Sequence, residues 1–312
     1  MLISHPACLA HDTGPGHPER PARLQGVLEA LSHPAFAALL REPAPPATEA
    51  HLKLAHPEAH IQRILDARPA DGVRIQIDPD TLLSAGSAQA ALHAAGAACA
   101  AVDAVMSGHA DAAFAAVRPP GHHAEPDRAM GFCLFGNAAI AVLHARARWG
   151  LRRVALVDFD VHHGNGSQAM LQDDPDLFYA SSHQSPCYPG TGAADERGVA
   201  DNVVNLPLAP GSGGAAFRRG WSGSILPALD RFAPELLIVS AGFDAHRDDP
   251  LAALQLGVED FVWLTRELLR IADRHCGGRI VSVMEGGYDL AALAGCVAAH
   301  VQTLMRRGSA AG

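Results

Sequence analysis

Short apolar segments alternate with longer helical segments along this chain, and this alternation constrains the fold more than any other feature. Several of the short segments are continuously apolar, such as VALV at 154–157 and LLIV at 236–239. Strands of this kind are covered on both faces, as they are in parallel sheets that lie between layers of helices. The sequence therefore predicts a single α/β domain over residues 1–312, with a mainly parallel β-sheet flanked by helices on both faces.

The pattern assigns strands and helices as follows. The predicted strands are Ala112–Arg118, Arg153–Asp160, Leu177–Ser182, Val203–Leu208, Glu235–Asp244 and Arg279–Glu285. The predicted helices are Pro21–Leu31, His60–Ala67, Ser84–Met106, Gly136–Arg148, Gly214–Arg231, Glu259–Arg274 and Leu290–Arg306. Asp289 is a candidate N-cap for the last helix. The proline-rich segment Arg41–Thr48 is predicted to be a loop, and Arg307–Gly312 a frayed tail.

Charge and composition restrict the partners. The chain has 24 basic and 33 acidic residues and a net charge of −9, which repels nucleic acid and anionic membranes and attracts cationic substrates. The alanine-rich segment Ser84–Met106 contains Gln89, His93 and Asp103, so we predict a buried core helix rather than a membrane span. The first residues lack the pattern of a secretory signal, and the six cysteines form no CxxC pair. These features predict a reduced, cytoplasmic protein with no nucleic-acid or membrane partner, and a homo-oligomer is left open.

Polar residues collect directly after five of the predicted strands. The segments are RPPGHHAEP at 118–126, DFDVHHGNG at 158–166, SSHQ at 181–184, AGFDAHRDDPL at 241–251 and EGGYD at 285–289. A single histidine or aspartate after a strand usually makes a cap or loop hydrogen bond. Five such loops predict one site, because the carboxyl ends of parallel strands meet at the same edge of a sheet.

The second loop indicates a metal. Asp160 and His162 are two residues apart, so their side chains point the same way if the strand extends that far. Asp244 is the natural third ligand. Two carboxylates and one imidazole with an open position are typical of catalytic zinc, although Fe(II) or Co(II) suits the same ligands. Such an ion polarises a substrate carbonyl and lowers the pKa of bound water.

Two further sets of side chains suit hydrolysis at this metal. The adjacent pair His122 and His123 can supply a general base. Tyr288 can donate a hydrogen bond to an oxyanion.

These motifs together resemble the histone deacetylase family. RPPGHHA at 118–124, GFCLFGN at 131–137, VDFDVHHGNG at 157–166, PGTG at 189–192, SAGFDAH at 240–246 and EGGYD at 285–289 come in that family's order. The resemblance extends from HPERPARL at 17–24 to the last helix, and Asn165 with EGGYD is similar to the class II branch and its bacterial relatives. It implies the arginase-deacetylase fold and a zinc-dependent amidohydrolase that removes acyl groups from amines.

The resemblance also implies roles for individual residues. Asp160, His162 and Asp244 match the zinc ligands. Among the remaining catalytic positions, His123 matches the general base and acid, His122 its electrostatic helper, Asp158 the aspartate that orients His122, and Tyr288 the catalytic tyrosine. Asn165 stands where class I members carry an aspartate beside the second histidine, so we expect a lower pKa for His123 than in those members.

Substrate and ion positions follow in the same way. Phe132 and Tyr188 match the walls of an acyl-lysine channel, Leu251 its rim, and Gly131, Gly286 and Gly287 positions of close backbone approach. Asp158, Asp160, His162, Ser181 and Ser182 match a monovalent-cation site for potassium, formed mostly by backbone oxygens. Arg20 matches an arginine of an acetate-release cavity. The remaining histidines, among them His51, His56, His60 and His300, are assigned to the surface or to helices.

Three alternatives bear on function. A dinuclear manganese ureohydrolase needs an aspartate where this chain has Gly164. A non-catalytic acyl-lysine-binding protein would be favoured by loss of Tyr288 or a zinc ligand, and none is missing. Among substrates, acetylated lysine side chains are favoured over acetylated polyamines. Polyamine specialists often carry an acidic rim residue where this chain has Leu251, and no long insertion lies between Asp80 and Ser87.

Overall fold

The computed structural model describes residues 1–305. We number its strands in chain order: β1 Leu2–Ser4, β2 Arg41–Pro43, β3 Ile75–Asp78, β4 Thr81–Leu83, β5 Ala112–Ala115, β6 Val154–Asp158, β7 Leu177–Gln184, β8 Val203–Leu208, β9 Leu236–Ala241 and β10 Ile280–Met284. Eight of them form one sheet in the order β2-β1-β5-β10-β9-β6-β7-β8, and every pairing in it is parallel. β3 and β4 form a separate antiparallel hairpin.

Helices connect the strands and cover the sheet. They are α1 Pro21–Ala30, α2 Glu49–Leu52, α3 Glu58–Leu65, α4 Ser87–Met106, α5 Asn137–Trp149, α6 Asn165–Leu171, α7 Gly214–Gly220, α8 Leu226–Phe232, α9 Val258–His275 and α10 Leu290–Met305. α4 and α5 pack against each other and against the central strands, while α1, α9 and α10 form a second group. The predicted α/β fold, a parallel sheet with helices on both faces, is confirmed.

All six predicted strands are present, and most end earlier than predicted. The chain also forms elements that the pattern did not indicate: β1, β2, the β3–β4 hairpin, α2 and α6. The loop prediction for Arg41–Thr48 is wrong at Arg41–Pro43, which pairs with β1 at the edge of the sheet. An edge strand tolerates a proline such as Pro43, because one side of it needs no ladder hydrogen bonds.

The predicted helix Gly214–Arg231 is interrupted. A π-helical turn, Trp221–Ile225, lies between α7 and α8, and the Leu226 N–H bonds to the Trp221 carbonyl. Pro227 follows at the start of α8 and has no N–H to continue the α-helical ladder. The insertion places the Trp221 side chain fully inside the core.

The alanine-rich α4 is long and apolar enough to cross a membrane by length and composition, yet 72% of its apolar window is buried inside the fold. This matches the prediction of a core helix. The predicted tail Arg307–Gly312 and the last residue of the final predicted helix, Arg306, lie outside the described residues. Within them, Asp289 caps α10 as predicted, since its carboxylate accepts the Ala292 N–H at 2.8 Å.

Candidate active site

The five polar loops meet at one edge of the sheet. They follow β5, β10, β9, β6 and β7, which are consecutive neighbours in space although not in sequence. Because all five strands are parallel, their carboxyl ends form a continuous rim. The sheet order therefore brings the predicted site residues together from loops that span residues 118–289.

The candidate metal ligands Asp160, His162 and Asp244 lie at the centre of this rim. Each offers one ligand atom within 4.8 Å of the others, and all three are buried. The expectation that the strand reaches Asp160 is wrong, because β6 ends at Asp158. Instead, the Asp158 carboxylate accepts the Asp160 N–H at 3.0 Å, and the Asp160 carboxylate accepts the His162 N–H at 2.9 Å. These side-chain turns bend the chain out of the sheet and aim both ligands inward.

Two glycines let the backbone come close to the ligands. A Cβ at Gly242 would lie 2.0 Å from Asp160 Oδ2, and one at Gly286 would lie 2.2 Å from Asp244 Oδ2. The Gly286 N–H donates to Asp160 Oδ2 at 2.8 Å. Any side chain at either position would displace a ligand.

The donor set is incomplete without a cation. Asp244 Oδ2 is buried without a hydrogen bond in the described residues and lies 3.2 Å from His162 Nδ1. Burial, with the nearby charge of Asp160, raises the pKa of Asp244 to about 7. Two carboxylates and one imidazole this deeply buried fit a divalent ion, which compensates their charge and occupies the unbonded oxygen.

His122 is held by two carboxylates. Its Nδ1 lies 2.9 Å from Asp158 Oδ2, and its Nε2 lies 3.7 Å from Asp160 Oδ1. Burial opposes the charged ring, but Asp160 and Asp158 outweigh that effect and raise the pKa of His122 to about 10. The two carboxylates therefore favour the charged form of His122.

His123 differs from its neighbour. Its Nδ1 lies 2.9 Å from the amide oxygen of Asn165, and the Asn165 amide donates to Glu125 at 2.8 Å. Burial, followed by the positive charges of His122 and His162, lowers the pKa of His123 well below the usual histidine value. With its proton on Nδ1, the neutral ring leaves Nε2 free to accept a proton.

Aromatic rings line the approach to the histidines. The Tyr188 ring lies 5.0 Å from the His123 ring, and Phe132 stands edge-on to Tyr288 at 5.9 Å between ring centroids. Tyr188 and Leu251 are each 38% exposed, which places them at the mouth. A Cβ at Gly131 would lie 2.4 Å from the His123 ring, so only glycine fits beside this base.

The loop that carries Tyr288 is fixed from two sides. Asp249 accepts the backbone N–H of Tyr288 at 2.7 Å, and the Arg23 guanidinium lies 4.7 Å from the Tyr288 ring centroid. Arg23 also donates to the Gly287 carbonyl at 2.6 Å. A positive φ of 121° at Gly287 lets the backbone present that carbonyl.

The expectation that Arg20 lines an internal cavity is wrong. Arg20 is exposed at the N-cap of α1, before Pro21 starts the helix. The buried face of α1 contains Arg23, Leu24 and Val27. Helical periodicity therefore turns Arg23, rather than Arg20, toward the site.

Comparisons with known proteins agree with this geometry. The sequence model of the histone deacetylase domain matches residues 17–304. The chain belongs to the histone deacetylase family. It is 41% identical over 307 residues to the histone deacetylase-like amidohydrolase of Pseudomonas aeruginosa, covering 97% of this chain and 79% of that protein. It is 38% identical over 330 residues to the chloroplastic histone deacetylase 14 of Arabidopsis thaliana, covering 100% of this chain and 78% of that protein.

A solved structure shows the same fold. The crystal structure of the HDA15 HD domain superimposes with a TM-score of 0.91 at 33% identity, covering 97% of this chain and 89% of that one. The arginase-deacetylase fold that the sequence motifs imply is thereby confirmed.

The residues predicted for the monovalent cation adjoin the candidate metal ligands and share two of them, Asp160 and His162. Asp158 on β6 is the register partner of Ser181 on β7. The Ser182 hydroxyl is buried without a hydrogen bond in the described residues. Asp160 and His162 follow directly, so the five predicted residues surround one small region at the end of these two strands.

Glu285 is a deacetylase-site residue that sequence reasoning missed. Its carboxylate accepts the backbone N–H groups of Gly121 at 2.6 Å and His122 at 3.2 Å, and the Ser240 hydroxyl at 3.0 Å. Burial raises the pKa of Glu285 to about 7. It is the first residue of EGGYD, but nothing in the motif shows that it reaches a loop more than 160 residues earlier.

Proposed function

We propose that this deacetylase-family protein is a zinc-dependent enzyme that hydrolyses the acetyl amide of lysine side chains in proteins or peptides. The observation that carries the proposal is the buried cluster of Asp160, His162 and Asp244 beside a neutral His123. The unbonded Asp244 Oδ2 supports a metal in that cluster. When bound there, zinc supplies carbonyl polarisation and acidifies water.

The side chains divide the proton transfers between them. His123 Nε2 is positioned to accept the proton of the attacking water, since Nδ1 is held by Asn165. His122, charged by Asp158 and Asp160, stabilises negative charge on the substrate oxygen, and Tyr288 donates a hydrogen bond to that oxygen. The proton on His123 then passes to the leaving amine, which departs through the channel.

The channel supports an acyl-lysine substrate. Phe132 and Tyr188 present rings that suit an alkyl chain, and Leu251 provides an apolar contact at the rim. The alternative substrate, an acetylated polyamine, is favoured by one observation. Burial raises the pKa of Tyr188, and the negative charges of the nearby Asp80 and Asp78 raise it further. Their carboxylates could meet a distant ammonium group.

Potassium and the cellular location remain part of the proposal. Asp158, Ser181 and the unbonded Ser182 hydroxyl support a potassium ion behind the catalytic residues. No disulfide joins the six cysteines, all of which lie within the described residues, and this supports a reducing compartment such as the cytoplasm. Two relatives are chloroplastic by name, so a plastid is the alternative compartment.

The test is acetate release from an acetyl-lysine peptide and from acetylputrescine, measured side by side. Each substrate is offered to the protein as purified, after chelation, and after zinc is restored. His123→Ala and Tyr288→Phe test the catalytic roles. His109→Ala serves as the matched control, because His109 is exposed and precedes the amino end of β5, at the opposite edge of the sheet from the site loops.

The outcomes separate the hypotheses. Peptide turnover that chelation and both catalytic substitutions abolish, but His109→Ala preserves, supports the lysine deacetylase. Turnover of acetylputrescine alone retains the chemistry and overturns the substrate. Zinc-replete protein that binds the acetylated peptide but hydrolyses neither substrate would indicate a non-catalytic acyl-lysine-binding protein.

A further inference from the structure

Three helices bring a cysteine and two histidines together away from the deacetylase residues. His51 lies in α2, Cys99 in α4 and His144 in α5. Each offers one ligand atom within 4.8 Å of the others. Cys99 and His144 are buried, whereas His51 is half-buried and closes the group from the surface.

A carboxylate already orients one of the imidazoles. His144 Nε2 lies 2.9 Å from Asp103 Oδ1, and Asp103 also accepts the Trp149 indole N–H at 2.7 Å. With its Nε2 proton donated to a carboxylate, the neutral His144 ring has its lone pair on Nδ1. Metal-ligating histidines are commonly held by a carboxylate in this way, which fixes the tautomer and the ring orientation.

The other two ligand atoms have few competing contacts. Cys99 Sγ makes no hydrogen bond in the described residues, and burial raises the pKa of its thiol. His51 Nδ1 accepts only the Thr48 N–H, at 3.3 Å, in an exposed capping box. A metal at Nε2 would move the His51 proton to Nδ1 and break that long hydrogen bond, which water can replace at the surface.

We propose that His51, Cys99 and His144 form a second metal site that binds Zn²⁺ and is structural rather than catalytic. One thiolate and two imidazoles are ligands that Zn²⁺ prefers, and binding releases the Cys99 proton. Tetrahedral zinc places such ligand atoms about 3.3–3.6 Å apart, so the half-buried His51 ring moves inward by about 1 Å. Water supplies the fourth ligand.

The proposed metal site would stabilise the residues that support the segment around Gly131 and Phe132. Soon after α2 the chain reaches His56, whose Nε2 accepts the Gly136 N–H at 2.9 Å and whose Nδ1 lies 2.8 Å from the Pro126 carbonyl. These two contacts bracket the segment that carries Gly131 and Phe132. A metal that fixes α2 on α4 and α5 therefore stabilises the walls of the substrate channel from outside.

Cobalt substitution reports on this site separately from the catalytic one. Thiolate ligation of Co²⁺ gives a near-ultraviolet charge-transfer band, which carboxylate and imidazole ligands do not produce. Because Cys187 lies beside His162, all proteins carry Cys187→Ser, which removes the thiol that contacts a catalytic ligand. Apoprotein is titrated with Co²⁺, and Zn²⁺ per chain is measured in parallel after equilibration and desalting.

We expect two metal ions per chain and a charge-transfer band. Cys99→Ser should retain one ion and lose the band, whereas Cys296→Ser, which removes another fully buried cysteine, should keep both. His51→Ala should also lose one ion, and it changes a half-buried side chain if Cys99→Ser fails to fold. Asp244→Asn should lose the other ion but keep the band. One ion per chain without a band in the parent protein would overturn the second site, whatever substrate the enzyme hydrolyses.

Discussion

The side chain beside His123 Nδ1 is the amide of Asn165. A carboxylate at this position would keep the imidazole charged up to a higher pH. Asn165 presents its oxygen to Nδ1 at 2.9 Å and its N–H group to Glu125 at 2.8 Å. The negative charge of Glu125 is thus one residue further from the ring. The amide therefore orients the His123 ring as a carboxylate would, but it places no full charge beside the ring. This favours a neutral His123 that can accept a proton.

Replacing Asn165 tests this arrangement. Asn165→Asp, combined with Glu125→Gln to remove the repulsion between two carboxylates, places a charge beside Nδ1 and raises the pKa of His123 by about one unit or more. The neutral base then forms only at higher pH, so the acidic limb of the kcat/KM profile moves upward. Glu125→Gln alone is the control. An unmoved limb in the double variant would show that His123 is not the titrating base.

In the proposed mechanism, Tyr288 contributes while charge develops on the substrate oxygen. Tyr288→Phe keeps the ring between Phe132 and Arg23 and removes the hydroxyl. We expect kcat to fall about 100- to 1,000-fold with little change in KM, as for the loss of one oxyanion donor. Steady-state kinetics on the zinc-loaded enzyme measure the effect. A rise in KM at constant kcat would indicate that the hydroxyl binds substrate instead.

The loop after β10 contacts two of the candidate metal ligands, Asp160 and Asp244. Gly286 donates to Asp160 and lies against Asp244, so the proposed metal ligands leave no room for a side chain there. Gly286→Ala places a Cβ 2.2 Å from Asp244 Oδ2 and 2.5 Å from Asp160 Oδ2. We expect loss of the catalytic zinc and at least a 100-fold loss of kcat, with the fold retained.

Gly295→Ala is the matched control for that substitution. Gly295 lies within α10, and nothing lies within 4 Å of a Cβ at that position. Alanine should raise the free energy of unfolding there by up to about 1 kcal/mol and leave zinc content unchanged. Full zinc content and activity in Gly286→Ala would contradict the close approach described for this loop.

The sequence predicted elements where the pattern is long enough to be periodic. β6, β9 and β10 were found because continuous apolar runs mark strands covered on both faces. β1 and β2 have three residues each, too few for any period, and α6 begins in a glycine-containing segment. The motif match pointed to Arg20, but a match does not show which side of a helix faces the core, and the buried face of α1 contains Arg23.

Buried neutral histidines make the whole molecule sensitive to acid. Burial lowers the pKa of His300 to about 3, and of His11, His56, His163 and His183 to about 4. Each titrates near 6.5 in the unfolded chain. Below pH 6.5 these five positions bind more protons in the unfolded state, so their contribution to stability is greatest above that pH and falls as the pH drops toward 4.

His300→Gln isolates one such contribution. His300 bonds to Thr265 and Ser282 in the core and lies away from the metal ligands. The substitution should lower the free energy of unfolding at pH 7. Between pH 6 and pH 4 the free energy of unfolding should fall with decreasing pH in both proteins, but the slope should be smaller in the variant by about 1.4 kcal/mol per pH unit. Denaturant unfolding at several pH values measures both slopes. Equal slopes would show that His300 is not neutral in the native state.

The sequence did not predict the order of the strands in the sheet, but it did predict which loops form the candidate site. A parallel connection requires a right-handed crossover and leaves open which strand becomes the neighbour. That choice depends on packing between segments more than 100 residues apart, as β5 and β10 show. The site residues could still be collected, because every parallel strand delivers its loop to the same edge whatever the order.

The sheet order also has a consequence for synthesis of the protein. β10 and β9 lie between β5 and β6, although they contain residues 280–284 and 236–241. In the growing chain, the tandem histidines follow β5 and the first two candidate metal ligands follow β6. The two strands that lie between β5 and β6 in the finished sheet have not yet been made. Asp244 and Tyr288 enter the gap with the last strands to leave the ribosome. The nascent protein thus exposes unpaired inner strand edges until these strands emerge, and its site stays incomplete until then.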